Sequence, residues 1–387
     1  MKMDYELFDS GPPLSWQKAL RLVRPPEERQ IARPVLAAVV VGWLPIAVLA
    51  GALAIMGHPT ASSFFKDIAV HARFLVALPL IVLAEADIIP AFGRIVTHFL
   101  SSGMVNRDRE RYFEAVNSTR RLLDSKWAVY VTFALAYAVV IALMTSINRN
   151  NTPAWYWGGP GPLGLSLPGV WHAYVSLPLL LWPCFGWVWR LLLWWRFLAL
   201  MSRLDLHLIP THPDHAGGLK FVSTSIRAYR LLAAAIGVIV AGTAMNHSLL
   251  SAESSPMAYR NSAIAVVVLV LILSAGPLLM FVTKLRNTRL RGMLHYGKLG
   301  SAVGAEFEQK WISQKENVDT GTLEVPDFSA MTDLYQVVGN VYEVMDIPFG
   351  LKDLTPVVVA SLIPFVPVVL MTVPLSEIVQ TVKSLLL

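Results

Sequence analysis

About seven runs of roughly twenty apolar residues decide the fold class of this chain. A helix rising about 1.5 Å per residue needs that length to cross a hydrocarbon core about 30 Å thick. The runs are Pro34 to Met56, Arg73 to Phe92, Trp127 to Ile147, Val170 to Leu200, Leu231 to Leu250, Ala263 to Val282 and Pro356 to Val373, the last broken by Pro364 and Pro367. Hydrocarbon holds no water to bond a backbone N–H or C=O, so each run has to be a helix that pairs its own backbone groups. The expected fold is therefore all-α, a polytopic transmembrane helical bundle. Charged residues make up 15% of the chain and its mean hydropathy is +0.53, against a charged share of about a quarter in soluble domains.

The segments between the runs divide the remainder. Residues 1–33 form a polar arm without the apolar core of a signal peptide, so no cleavage is expected. Residues 34–283 hold the first six spans, with a charged amphipathic helix expected over 94–126 and a histidine-bearing loop over 204–226. Residues 284–354 are too short and polar for a large independent domain and are expected to make a few helices. Within them Met331, Leu334, Val337, Val338, Val341 and Val344 recur at helical spacing, so that face is expected to dock on the helix Arg107 to Lys126 or on another subunit. Residues 355–387 hold the last span and, from Pro374, a short amphipathic tail.

Lys and Arg set the orientation, because cytoplasmic loops carry them in excess. They crowd the arm, the segment from Arg94 to Lys126 and the segment from Lys284 to Lys352. The alternate loops hold little beyond Lys66, Arg149 and Arg260. The arm, the histidine loop and residues 284–354 are thus expected in the cytoplasm, and residues 148–169 outside. The net charge of +6 follows this alternation, so nucleic acid is not an expected partner. The lipid bilayer and further copies of the chain are.

Chemistry-bearing residues concentrate in two places. The loop from Asp205 to Leu219, DLHLIPTHPDHAGGL, holds three of the nine histidines. His207, His212, Asp214 and His215 are ligand types that a divalent metal ion such as Zn, Fe, Mn or Ni accepts, and the loop is read as a metal or phosphate site. The other reading of the same residues is a turn, in which Thr211 or Asp214 caps the next helix and the histidines bond locally. Gly217 and Gly218 permit positive φ or a close backbone approach.

The second place is the membrane interior, where an ionisable group has to face the bundle, a partner or water. Glu85 and Asp87 lie in the second run, Arg190 and Arg196 in the fourth. Glu85 falls about 18 Å below Arg73 at helical rise. Arg190 reaches a comparable depth, so the two can pair, as a structural ion pair or as part of an ion pathway. Glu85 and Asp87 point about 200° apart and are not expected to share a site. The fourth run also carries Trp171, Trp182, Trp187, Trp189, Trp194 and Trp195, read as an aromatic girdle with the Arg side chains snorkelling to the inner interface. Trp155, Tyr156 and Trp157 read as an interfacial cap, and His58, His71, His172 and His247 as interfacial residues. Cys184 is the only cysteine, which excludes an internal disulfide. No P-loop or kinase motif occurs, so any transport would run on a gradient.

Several stretches resemble a family of uncharacterised bacterial inner-membrane proteins. They are Lys310-Trp311-Ile312, DFSAMTDLYQVVGNVYEVMDIPFGLKDL from Asp327 to Leu354, LIPFVPVVLMTVPLSEI from Leu362 to Ile378, HPDHAGGL from His212 to Leu219 and RFLVALPLIVLAE from Arg73 to Glu85. Each is short, and their combination is distinctive. The segment between Trp311 and Asp327 departs from the family's pattern. The resemblance implies a bacterial inner-membrane location and brings no activity with it.

Three readings follow. The first is an integral inner-membrane channel or gradient-driven transporter of an ion or small solute, with Glu85, Asp87, Arg190 and Arg196 as pathway or ion-pair residues. The second is a membrane-embedded enzyme or sensor that holds a divalent metal ion on His207, His212, Asp214 and His215. The third is a structural subunit of a membrane complex. The topology common to all three is testable by cysteine labelling after Cys184 is replaced. Positions in 148–169 should react with an impermeant reagent in intact cells, and positions near His212 only after lysis. The opposite pattern would invert the orientation.

Overall fold

The computed structural model describes residues 7–8, 10–12, 32–146, 152–159, 161–250, 256–312 and 327–372. The tail expected from Pro374, the segment 313–326 and most of the arm lie outside the described residues. Among those described, every named element is helical. Seven helical runs are long and apolar enough to cross a membrane, and the chain is a multi-pass membrane protein.

The first span is two helices, α1 (Ala32–Gly42) and α2 (Leu44–Ile55), meeting at Trp43. The second is α3 (Ile68–Ser101), which widens into a π turn over Ala72–Ala77 just before Pro79. The amphipathic helix α4 covers Arg109–Leu123 and the third span, α5, Lys126–Ser146. The charged helix is thus shorter than expected, because residues 94–101 continue α3. The fourth span, α6 (Leu167–Arg203), has its own π turn at His172–Ser176 before Pro178. Helical turns over Lys220–Ala228 lead into α7 (Arg230–Leu250). Then come α8 (Pro256–Ala275), a 3-10 turn at Gly276–Phe281, α9 (Val282–Trp311), α10 (Asp327–Tyr342), α11 (Leu351–Leu362) and α12 (Val366–Thr372). The break between α11 and α12 falls at Pro364, as the sequence leads one to expect.

Contacts between side chains give the relative directions of the spans. Phe74 meets His172, Glu85 meets Arg190 and Phe99 meets Phe197, so α3 and α6 run parallel. Arg230 bonds Asp87 while Thr243 bonds Arg73, so α7 runs antiparallel to α3. Arg227 bonds Asp353, and a Cβ on Gly237 would sit 2.3 Å from the Ser361 carbonyl oxygen, so α7 and α11 run parallel at backbone contact. These directions match spans two, four, five and seven of a chain that crosses alternately.

Two expectations about the periphery change. The apolar face of α10 does not dock on α4. It folds back on α9, with Phe328 against Phe307 at 5.1 Å and Trp311 at 5.2 Å, and Lys310 pairs with Asp327 at the same end. The reason is local: Gly292, Gly300 and Gly304 give α9 a shallow face that receives Val341, Val338 and Met331. Trp155 and Tyr156 do not form an interfacial cap either, being 1% and 4% exposed. The Trp155 indole donates to Asp67 Oδ2 at 2.9 Å and its ring meets Phe64 edge-on, because an indole has an N–H to satisfy once its ring is buried.

Three of the prolines that interrupt spans show the same repair. Pro45, Pro178 and Pro277 have no N–H to give the carbonyls of Val41, Tyr174 and Leu273, four residues back. The Trp171 indole bonds Val41 O at 3.1 Å, the Tyr137 hydroxyl bonds Tyr174 O at 3.2 Å and the Trp195 indole bonds Leu273 O at 3.4 Å. A double-mutant cycle tests this repair. Trp171→Phe should destabilise the protein by about 1–3 kcal/mol through the unpaired carbonyl. In a Pro45→Ala background, where residue 45 supplies the missing N–H, that bond's share of the cost should vanish. Equal losses in both backgrounds, read from thermal melting in detergent, would remove the repair from the account.

Candidate functional site

Glu85 and Arg190 meet inside the bundle, on the seam between the parallel helices α3 and α6. Oε1 of Glu85 lies 3.0 Å from Nη1 of Arg190, with side-chain exposures of 9% and 1%. Arg190 Nη2 also donates to the backbone carbonyls of Ser10 and Gly11, 3.4 Å away in each case. The guanidinium stands 5.4 Å from the Trp187 ring, whose N–H bonds the Ile81 carbonyl. Toward the histidine loop, Phe92 stacks on Trp194 at 3.9 Å, and Phe8 meets both rings edge-on at 5.1 and 5.7 Å. Arg190 therefore does not snorkel to an interface. A carboxylate and a segment of the arm hold it in the interior, and its Nε has no partner among the described residues.

The other charges named from the sequence are elsewhere. Asp87 pairs with Arg230 at 2.8 Å on a half-exposed face. Arg196 donates to Ser118 Oγ at 2.8 Å and to Thr119 Oγ1 at 3.4 Å, tying α6 to α4. Sequence reasoning missed a polar layer near the two π turns. There Trp43 donates to His71 Nδ1 at 2.9 Å, and His172 Nδ1 lies 3.3 Å from the Tyr156 hydroxyl. His172 is buried rather than interfacial, and its Nε2 and the Ser176 hydroxyl have no partner among the described residues. The Leu7-Phe8 pair inside the polar arm was the one signal for the segment that caps Arg190.

The histidine loop is built around Asp214. Its Oδ1 accepts from Ala216 N at 2.9 Å and Gly218 N at 3.0 Å, and its Oδ2 from Lys220 N at 3.1 Å. His212 Nδ1 stands 2.8 Å from Oδ1. These bonds force the chain through positive φ at His215, Gly217 and Gly218. A side chain at Gly218 would also strike Met104, its Cβ falling 2.5 Å from the methionine methyl. The loop is fastened outward by His207 N to Met104 O, Asp205 N to Asp108 and Met345 N to His215 O.

This arrangement does not gather His207, His212, Asp214 and His215 around a metal ion. Among the described residues no group of three or more His, Cys, Asp and Glu side chains converges as metal ligands do. The physical reason is that Asp214 spends both oxygens on backbone N–H groups, while His215 turns away, with Nδ1 3.5 Å from Glu343. His207 and His212 instead line a cleft of about 460 Å³ with His98, Asp214, Lys220, Arg227 and Asp353. Compared with known proteins, the chain matches no protein-family model, no curated protein and no solved structure.

Burial alone would raise the Asp214 pKa. The N–H groups of Ala216, Gly218 and Lys220, with His212, outweigh it and hold the carboxyl below its ordinary value. A depressed carboxylate adds stability that is complete above its unfolded pKa, near about 3.9, and is lost as pH falls through the lower folded value. The wild-type loop should thus stay closed through mildly acid pH and open only below the usual carboxylate range. Asp214→Ala leaves three N–H groups without this acceptor and should cost at least about 1–3 kcal/mol at neutral pH. Hydrogen exchange of residues 216–220 across pH checks both statements; wild-type protection lost already at mildly acid pH would refute the first, and protection of Asp214→Ala equal to wild type the second.

Proposed function

We propose that this chain is a gradient-driven transporter of an ion or small solute in a bacterial inner membrane, with the histidine loop on the cytoplasmic side. The observation that carries this reading is the buried Glu85–Arg190 pair. Stability is a weak reason for such a pair, since well-packed apolar residues often replace one at no cost. Ionisable groups inside spans characteristically mark ion or substrate paths. Arg190 also keeps Nε unpaired among the described residues, a donor that a passing polar solute can use.

A transporter fits this geometry better than an open channel. Phe8, Phe92 and Trp194 close the seam on one side of the pair, and Trp187 against Ile81 closes it on the other. A solute would reach the pair only when one closure moves. The buried His172 and Ser176 beyond the second closure supply a further polar stop. The Lys and Arg asymmetry and the resemblance to bacterial inner-membrane proteins support the location and orientation. The metal-dependent reading has no comparable support, because the loop's carboxylate is already committed to its own backbone.

The test separates stability from transport. Glu85→Gln alone should destabilise by about 3–5 kcal/mol, the usual cost of leaving a buried charge unpaired. The double variant Glu85→Leu with Arg190→Met should melt close to wild type. In proteoliposomes under imposed H⁺, Na⁺, K⁺ and Cl⁻ gradients, wild type should show saturable flux of at least one ion, and the folded double variant none. Flux at the wild-type rate in the double variant would overturn the proposal.

A further inference from the structure

The cleft of about 460 Å³ beside the histidine loop is where the ends of three spans meet. His98 and Ser102 come from the last turns of α3, Lys220 and Arg227 from the turns leading into α7, and Asp353 from the first turn of α11. Its volume lies in the range of about 300–1,000 Å³ typical of small-molecule sites. What it can bind follows from which of its charges are already used.

Both carboxylates facing the cleft already accept three hydrogen bonds each. Asp214 takes three backbone N–H groups, as described above. Asp353 takes Arg227 Nε at 3.1 Å and Nη2 at 2.7 Å on Oδ1, and Gly350 N at 3.0 Å on Oδ2. The cation Arg227 is thereby balanced. Lys220 is not, since its ammonium has no hydrogen-bond or ion-pair partner among the described residues. The ring nitrogens of His98 and His207 likewise bond no described group, and the His98 ring rests on Phe221 at 4.3 Å. The formal charges of the lining cancel, Lys220 and Arg227 against Asp214 and Asp353, but the Lys220 ammonium is bonded to neither carboxylate; the free side-chain donors are basic, and the remaining wall is apolar, from Met104, Ile209 and Phe221.

We propose that this cleft binds a phosphate-bearing small molecule, its anionic group against Lys220 with His98 and His207, and its body along Met104, Ile209 and Phe221. A cation is disfavoured because Asp214 and Asp353 already accept three hydrogen bonds each and Lys220 adds a positive charge to the same cleft. The proposal concerns binding and does not rest on the transport reading. The phosphate has two sources, a soluble ester or the headgroup of an anionic lipid, and the chemistry at Lys220 is the same for both.

The experiment is calorimetric titration of the detergent-purified full chain with inorganic phosphate and with glycerol phosphate. In parallel, the preference for phosphatidylglycerol over phosphatidylcholine is measured by native mass spectrometry from nanodiscs. Lys220→Gln should melt as wild type does, because the ammonium holds nothing in the structure, and should weaken binding at least about tenfold. Lys220→Arg should restore most of it. Lys298→Gln, an exposed charge on α9 outside this cleft, should have no effect. Binding of glycerol phosphate that Lys220→Gln loses supports a soluble ester. A phosphatidylglycerol preference that Lys220→Gln loses, without binding of the soluble probes, supports a lipid headgroup. The proposal falls if wild type binds neither, if Lys220→Gln binds as wild type does, or if Lys298→Gln weakens binding as much as Lys220→Gln.

Discussion

Every backbone carbonyl in a membrane-spanning segment needs a donor, and this chain repeatedly removes one by placing proline inside a helix. Ser, Thr or water often supplies the substitute. Here aromatic side chains from neighbouring spans do so at Val41, Tyr174 and Leu273. Each bond crosses between helices, so every repair is also a tertiary tie. Trp171 fastens α6 to the first span just before its break, Tyr137 fastens α5 to α6, and Trp195 fastens α6 to the last turn of α8. Two of the six tryptophans of α6, Trp171 and Trp195, serve this repair, and Trp187 donates instead to the Ile81 carbonyl of α3.

The same rule governs charge. Glu85 and Arg190 lie where neither can be solvated, so each requires the other. The pair also recruits the arm, whose Ser10 and Gly11 carbonyls accept from the second guanidinium nitrogen. Those two bonds, with Phe8 edge-on against the stacked rings of Phe92 and Trp194, explain why a polar N-terminal stretch contains Leu7 and Phe8, both 1% exposed. An apolar anchor carries polar backbone to a buried cation.

The number of spans and their approximate limits were legible because hydropathy is a property of the residues alone. Glu85 and Arg190 could be suspected of pairing on depth, since helical rise is constant. What could not be read was anything that depends on which face of one helix meets which face of another. Arg190 was read as snorkelling because a lone span with an Arg near one end has that option. It loses the option once α3 presents a carboxylate to it. His172 and Tyr156 were read as interfacial from their place at a span's edge, although the loop carrying Tyr156 folds inward over His172. In the histidine loop the residue types suited metal and turn alike. The choice between them depended on where the two oxygens of Asp214 point, which spacing does not encode.

The two polar regions differ in a way that bears on where the bundle can move. At the loop end Asp214 accepts three backbone N–H groups, two of them from buried residues, and Arg227 ties the turns leading into α7 to α11 through two bonds to Asp353. Opening that end breaks many bonds at once. At the opposite end α3 and α6 both carry π turns ahead of a proline, where the regular ladder is already interrupted and helices most readily bend. His172 and Ser176 have hydrogen-bonding capacity to spare there. A change of register at the π turns therefore breaks few bonds and can satisfy two groups left unpaired in this conformation. The Glu85–Arg190 seam joins the same two helices, so the ion pair and the two π turns lie on one structural unit, apart from the tightly bonded loop end.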